Sequence, residues 1–430
     1  MRRESLWAAV LPQARWFQGK GLPWRGLELH PLPWYGGTPA MRIRSELAVV
    51  DLGGVTQTYH LLVGYAPPGT AEPGAVIGRA TLDGSDEWDV VDAPRSGVAM
   101  RVFVEAIARP GVPGITWYGA PPPADAPASV LSGEQSHTSV RLGASMLLKI
   151  YRRLTDGPSL EVGVLADLAR HVDPADAAGP ITPDLIGRWS TPDGTRDLGF
   201  FCELVPDARD GYEFAVAALA AGEPLEEPMR ALGATLARLH HQLRELYGAR
   251  TAPAAELVGA VRERVRQAAR ETPALADLQD GLLARLVAPP GDMPLQRVHG
   301  DFHLGQALLG ARGWVVIDFE GEPLKTPDER RVPDSPWRDV AGLLRSLDYV
   351  RHTHPDPDGP EARAWLAAAR AGFLGGYLGT GAVSMPGLLQ AYEIDKAVYE
   401  FGYETRNRPG WAATPLGALR EAAGRPVSPR

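Results

Sequence analysis

His299-Gly300-Asp301-Phe302-His303-Leu304-Gly305-Gln306, followed by Val315-Val316-Ile317-Asp318-Phe319-Glu320, decides how this 430-residue chain is read. Asp301 and Gln306 are five positions apart, on what is expected to be a loop after a short strand at Leu295–Val298. Twelve positions beyond Gln306, Asp318 ends a second apolar strand, Trp314–Ile317. Two strand ends in one segment thus present two carboxylates and a carboxamide. Those are the hard oxygen donors that a divalent cation takes, and a further loop carboxylate can orient a hydroxyl. Two plainer readings compete. The aspartates could be ordinary turn residues, and His299 with His303 have the spacing of a transition-metal pair. The chain has 10 histidines, but His352 and His354 fall in a Pro/Asp-rich loop and the others form no partner pattern.

Working outward, the block before this segment supplies a cation and an acid. Lys149 is a lone charge inside the apolar strand Leu147-Leu148-Lys149-Ile150-Tyr151, which is costly unless an anion pairs with it. Glu161, on the helix expected at Ser159–His171, is the natural partner. A hairpin turning at Gly143 precedes that strand, and Leu198–Val205 follows as a buried strand. This order of parts, with the two aspartate segments behind it, resembles the protein-kinase arrangement H-x-D-x-x-x-x-N and D-F-G, with Gln306 for Asn and Glu320 for Gly. On that resemblance Asp301 is the catalytic or orienting carboxylate, and Gln306, Asp318 and Glu320 hold Mg2+. Lys149 and Glu161 hold the ATP phosphates, helped by the hydroxyls of Ser136, Thr138 and Ser139, which replace a glycine-rich loop. Glu203–Val205 is the hinge that meets adenine through its backbone, with Glu203 and Val205 at its ends. Asp339, at the start of an apolar helix, braces the catalytic loop as a structural residue, as does His299.

The rest of the chain frames these parts. Residues 1–90 read as a β-rich domain, 91–206 as an α/β nucleotide-binding block, and 207–430 as a mostly helical lobe. Arg15–Gly21 is aromatic and basic, and its plain reading is a packing anchor with Trp16 and Phe17 buried. A net charge of −8 argues against nucleic acid, which needs clustered Lys and Arg. The single cysteine, Cys202, rules out an intrachain disulfide and fits a reducing, cytoplasmic setting. Apolar runs such as Phe214–Ala221 fall far short of the ~20 residues that span a bilayer, so no membrane association is expected.

Five segments carry a closer resemblance: Arg15–Gly21, Arg297–Gln306, Ile317–Pro323, Pro333–Gly342 and Tyr392–Trp411. Together they look like a bacterial maltokinase, from residue 15 to about 416. The resemblance implies an α+β, bilobal, eukaryotic-protein-kinase-like fold with a β-rich N-terminal cap domain and a mostly helical C-terminal lobe. It implies phosphorylation of maltose by ATP at the anomeric hydroxyl, for α-glucan synthesis, often alongside trehalose synthase as supplier of maltose. The sugar is then expected between the Asp301 loop and the last helices, against His303, Glu322, Lys396, Tyr399, Tyr403, Glu404, Arg408 and Trp411. Aromatic faces and charged forks are the mix a pyranose needs. Alternatives are a kinase for another sugar or aminosugar such as glucosamine, and an inactive kinase fold serving as a scaffold. An aminoglycoside phosphotransferase would want an acidic cleft, against which Arg406 and Arg408 speak.

Overall fold

Ile43, Ala48 and Val50 are fully buried in the run Met41–Asp51 because it is an inner strand covered on both faces. The computed structural model describes residues 2–82, 86–131, 137–171, 179–322, 325–379, 381, 384 and 386–424. Residues 1–169 and 183–206 make one compact unit, and residues 170–182 and 207–430 make the other.

In the first unit, α1 (Arg3–Val10) precedes an antiparallel sheet of order β1-β2-β3-β5-β4, built from Gly26–Thr38, Met41–Asp51, Thr56–Ala66, Asp86–Asp92 and Val76–Leu82 in that spatial order. The β1 strand escapes a sequence reading because Pro31, Pro33, Gly36 and Gly37 look like loop. It forms anyway because it lies at the sheet edge, where proline need not donate, and it is irregular around Trp34. Phe17 is buried and packs on Tyr59 at 5.0 Å, with the Gln18 amide donating to the Tyr59 hydroxyl, so the aromatic-basic loop is an anchor of this core. Trp16 is only half-buried.

A second antiparallel sheet follows α2 (Gly97–Ile107), in the order β6-β11-β12-β9-β8-β7. Its strands are Ile115–Trp117 (β6), Ala128–Val130 (β7), His137–Leu142 (β8), Met146–Tyr151 (β9), Leu185–Ser190 (β11) and Asp197–Glu203 (β12). The short β10 (Arg153–Leu154) leaves this sheet and pairs with β3, and α3 (Leu160–His171) comes next. Through that pairing the two sheets share one compact unit.

The second unit is mainly helical: α4 (Gly211–Ala221), α5 (Glu226–Tyr247), α6 (Ala254–Glu271), α7 (Pro273–Ala276), α8 (Gln279–Arg285), α9 (Pro327–Arg331), α10 (Trp337–Arg351), α11 (Pro360–Leu378), α12 (Pro386–Asn407) and α13 (Ala413–Ala422). Two small sheets interrupt it. One is β13 (Arg209–Asp210), β16 (Ala307–Gly310) and β17 (Gly313–Val316); the other is β14 (Ala249–Pro253) with β15 (Asp292–Gln296). The loop after β15 and the end of β17 hold the quoted segment. Among the described residues no helix is long and apolar enough to cross a membrane.

Candidate active site

In the first unit the β9 register sets Lys149 opposite Ser139 on one side and Phe200 on the other. Its Nζ donates to Glu161 Oε2 at 2.7 Å, and both side chains are buried. The Tyr151 hydroxyl donates to the same Glu161 oxygen at 3.1 Å and meets Ser159 Oγ at 2.8 Å. A buried cation on a strand thus has its counter-ion, held by a second donor. Breaking such a pair by removing one member costs about 3–5 kcal/mol, because a charge is left stranded.

Three expected nucleotide contacts need revision or lie out of reach. Thr138 pairs across from Ile150, so alternation turns it to the face opposite Lys149, and its hydroxyl accepts from Arg152 Nε at 2.8 Å. It is a sheet-packing residue, not a phosphate ligand. The Glu203 amide already donates to the Asp184 carbonyl and the Leu204 amide to the Ser145 carbonyl, which leaves the Val205 amide with no partner among the described residues. Ser136 lies outside the described residues, whereas Ser139 does share the Lys149 face.

In the second unit, α10 grips the Asp301 loop at three successive levels. Asp339, buried at its first turn, accepts the His299 amide at 2.8 Å and His240 Nε2 at 3.0 Å on one oxygen, and the Gly300 amide at 2.9 Å on the other. Tyr377 secures the far ring nitrogen of His240 at 2.9 Å. One turn on, Gly342 lies so near the Phe302 carbonyl that a Cβ there would stand 2.4 Å from its oxygen. Further along, Ser346 Oγ accepts the Leu304 amide at 3.1 Å. His299 joins the two halves of the segment: Nε2 donates to the Ile317 carbonyl at 2.9 Å, Nδ1 accepts the Asp301 amide at 3.3 Å, and the ring packs on Phe319 at 4.9 Å. Its bonds are structural ones, not those of a metal ligand.

Asp318 stands just past β17 with φ of +66°, a left-handed backbone that a non-glycine residue adopts at a cost. The Ile317 amide bonds the Gln306 carbonyl at 3.0 Å and Gln306 Nε2 donates to Asp318 Oδ2 at 3.1 Å, so the two side chains expected to share a cation are in contact. With its nitrogen turned to Asp318, Gln306 has its amide oxygen left for a ligand. That oxygen and the Asp318 carboxylate fit a hard divalent ion. Glu320 follows in the same turn, its carbonyl accepting from Arg330 Nη1 at 3.1 Å.

Asp301 is only partly covered, and its Oδ1 accepts from Lys396 Nζ at 2.8 Å. Burial works to raise this carboxyl, but the Lys396 charge, with His303 and His299, outweighs it and holds the group down at about 2. Lys396, from α12, also reaches Glu322 Oε1 at 3.3 Å. Burial lowers His303, and its Nδ1 accepts the Gly305 amide at 3.1 Å. Glu322 is corrected from a sugar contact to a buried anchor: Arg338 Nη2 donates to both its oxygens at 2.9 Å.

Along α12, Tyr399 and Tyr403 stack at 6.5 Å and 17°, and Glu404 Oε1 accepts from Arg408 at 2.7 Å and from Tyr349 at 3.4 Å. Trp411, 39% exposed, lies parallel to Tyr349 at 6.0 Å. Tyr392 is buried, with its hydroxyl on Asp334, so it packs instead of facing this group. Sequence reasoning missed the cations that fix this helix. Arg338 bridges Glu322 and Asp334, Arg264 forks onto Asp395 at 2.6 and 2.9 Å, and Arg345 holds Glu400 through two nitrogens. An arginine beside the aspartate at the start of an apolar helix, as in Trp337-Arg338-Asp339, was the signal available in the sequence.

Residues 128–377 match the model of the phosphotransferase enzyme family, and residues 11–95 match that of the maltokinase N-terminal cap domain. A glucosamine kinase of Mycolicibacterium smegmatis is 28% identical over 87% of this chain and 97% of its own length. A glucosamine kinase of Streptacidiphilus jiangxiensis is 33% identical over 49% of the chain, a match spanning 54% of that relative. A solved glucosamine kinase structure (crystal form B) superposes with a TM-score of 0.66 at 25% identity, covering 99% of this chain and all of the other. With well over half its length matched by the family model and a kinase-like loop constellation in that stretch, the chain belongs to the phosphotransferase enzyme family.

Proposed function

We propose that this phosphotransferase moves the γ-phosphoryl group of ATP to the anomeric hydroxyl of maltose. One observation favours a neutral sugar over a cationic one: among the described residues, four carboxylates on the expected acceptor side already have their cations. Asp301 has Lys396, Glu322 has Arg338, Glu400 has Arg345 and Glu404 has Arg408. An ammonium sugar would gain little there and would meet four positive groups. The tyrosine pair and Trp411 offer flat apolar faces to a pyranose ring.

In this reading Asp301 accepts the hydrogen bond of the acceptor hydroxyl and aims its oxygen at phosphorus. A carboxylate held at about 2 is a weak base, so its task is orientation and late proton capture, in keeping with a loose phosphoryl-transfer transition state. Lys149 steadies the nucleotide phosphates, Glu161 fixes its ammonium, and the Val205 amide serves adenine. Gln306 and Asp318, with Glu320 beside them, hold a magnesium-type ion that neutralises phosphate charge when bound.

A second reading, glucosamine as acceptor, has two supports: the names of the relatives, and Glu404 Oε2, which is buried with no partner among the described residues. ATP consumption measured with maltose, glucose, glucosamine, trehalose and an aminoglycoside separates these. Turnover with maltose, lost in Asp301→Asn, is expected. Turnover with glucosamine alone moves the assignment to the second reading, and silence with all five points to a non-catalytic scaffold.

A further inference from the structure

We propose that Arg338 is a positioning residue for Asp301, acting by keeping Glu322 from drawing Lys396 away. This rests on the reading of Asp301 as the residue that orients the acceptor hydroxyl. Lys396 Nζ stands between two carboxylates, 2.8 Å from Asp301 Oδ1 and 3.3 Å from Glu322 Oε1. Glu322 is the more buried of the two, with 3% of its side chain exposed against 19% for Asp301, so unpaired it would be the stronger magnet for a cation. Arg338 removes that pull by covering both Glu322 oxygens at 2.9 Å, while its other terminal nitrogen reaches Asp334 at 3.2 Å and Asp395 at 3.9 Å. Lys325, 3.4 Å from Glu322, is a third of its side chain exposed and is a weaker substitute.

The consequence is a division of labour between neighbours on α10. Asp339 fixes the backbone of the Asp301 loop through two amides, and Arg338 fixes the direction of the Asp301 carboxylate through Glu322 and Lys396. The titratable and charged groups facing Asp301 are Lys396 and Tyr399 from α12, His299 and His303 from its own loop, and Glu322. Only Lys396 among them can be handed from one carboxylate to another.

The test is a double-mutant cycle on the full chain. Arg338→Gln is expected to lower kcat about tenfold or more with little change in KM, and to move the acid limb of the kcat profile to higher pH as Asp301 loses its cation. Adding Glu322→Gln removes the competitor, and the double variant is expected to recover most of kcat and the original acid limb. Arg338→Lys, which restores charge but not the fork, should recover part. A double variant no better than Arg338→Gln, or a uniform loss at every pH, overturns the proposal in favour of a purely structural role. Carboxyl 13C NMR of Asp301, assigned with Asp301→Asn, reads the same shift without turnover, so an absent activity refutes the functional reading while this measurement still decides the positioning one. If Arg338→Gln fails to fold, the folded double variant carries the decision: an Asp301 signal unlike wild type overturns the proposal.

Discussion

Replacing Asp339 by Asn tests how the Asp301 loop is held, with its size set by three bonds. The carboxylate accepts two donors on one oxygen and the Gly300 amide on the other. Asn keeps one acceptor oxygen. Placed to serve His299 and His240, it turns an NH2 toward the Gly300 N–H and strands that part-buried donor. One unsatisfied buried donor costs about 1–3 kcal/mol, and the lost charge assistance at the other two bonds adds to it. A loss of about 3 kcal/mol is expected, equivalent to roughly a hundredfold faster hydrogen exchange of the Gly300 and His299 amides where exchange proceeds by local opening. The assay is native-state hydrogen exchange on a peptide covering residues 297–303, with thermal melting alongside.

The pH dependence has a definite sign. Burial tends to raise the Asp339 carboxyl, but the His240 hydrogen bond and charge, with the loop amides, hold it below the ordinary carboxylate range. A carboxyl held low in the folded state stabilises above its unfolded pKa of about 3.9, and that contribution is lost as the pH falls toward the folded value. The gap between wild type and Asp339→Asn should be level from about pH 8 to 5 and shrink below about 4. Exchange rates within threefold of wild type, or a gap that widens in acid, would refute the reasoning.

Two further outcomes follow from the same kind of accounting. Lys149→Met should destabilise the first unit by about 3–5 kcal/mol in urea denaturation, because the buried Glu161 loses the ammonium paired with it; the double Lys149→Met, Glu161→Leu should recover much of that. Asp318→Ala should abolish magnesium-dependent nucleotide binding by calorimetry; unchanged affinity would remove Asp318 from the ligand set.

Much of this could be read from the chain because the decisive residues are close in sequence. Asp301, Gln306 and Asp318 fall within one hairpin-sized segment, and Lys149 with Glu161 within one strand and the next helix, so spacing alone relates them. The α12 residues needed a different kind of signal, the resemblance carried by Tyr392–Trp411 and its mix of aromatic and charged side chains. What stayed hidden depends on long-range pairing. Glu322 looks like an open acid in sequence; only folding brings Arg338 across its oxygens. Thr138 looks like one more hydroxyl beside Ser139, and only the register with Ile150 turns it away. The edge strand β1 was masked by its prolines and glycines, which are tolerated where no neighbour demands their hydrogen bonds.

Gly342 carries a consequence of its own. With a Cβ, the Phe302 oxygen would be met at 2.4 Å, roughly 1 Å inside ordinary contact, so any side chain there must push the helix and the loop apart. Displacements of about that size can cost a hundredfold in rate even when the chemical groups are untouched. The position of the Asp301 loop is therefore gauged by a missing methyl group on a neighbouring helix. That spacing can be widened by mutation but not narrowed, which makes position 342 a one-way adjustment: the loop can be moved away from the helix, and nothing at that site can draw it further in.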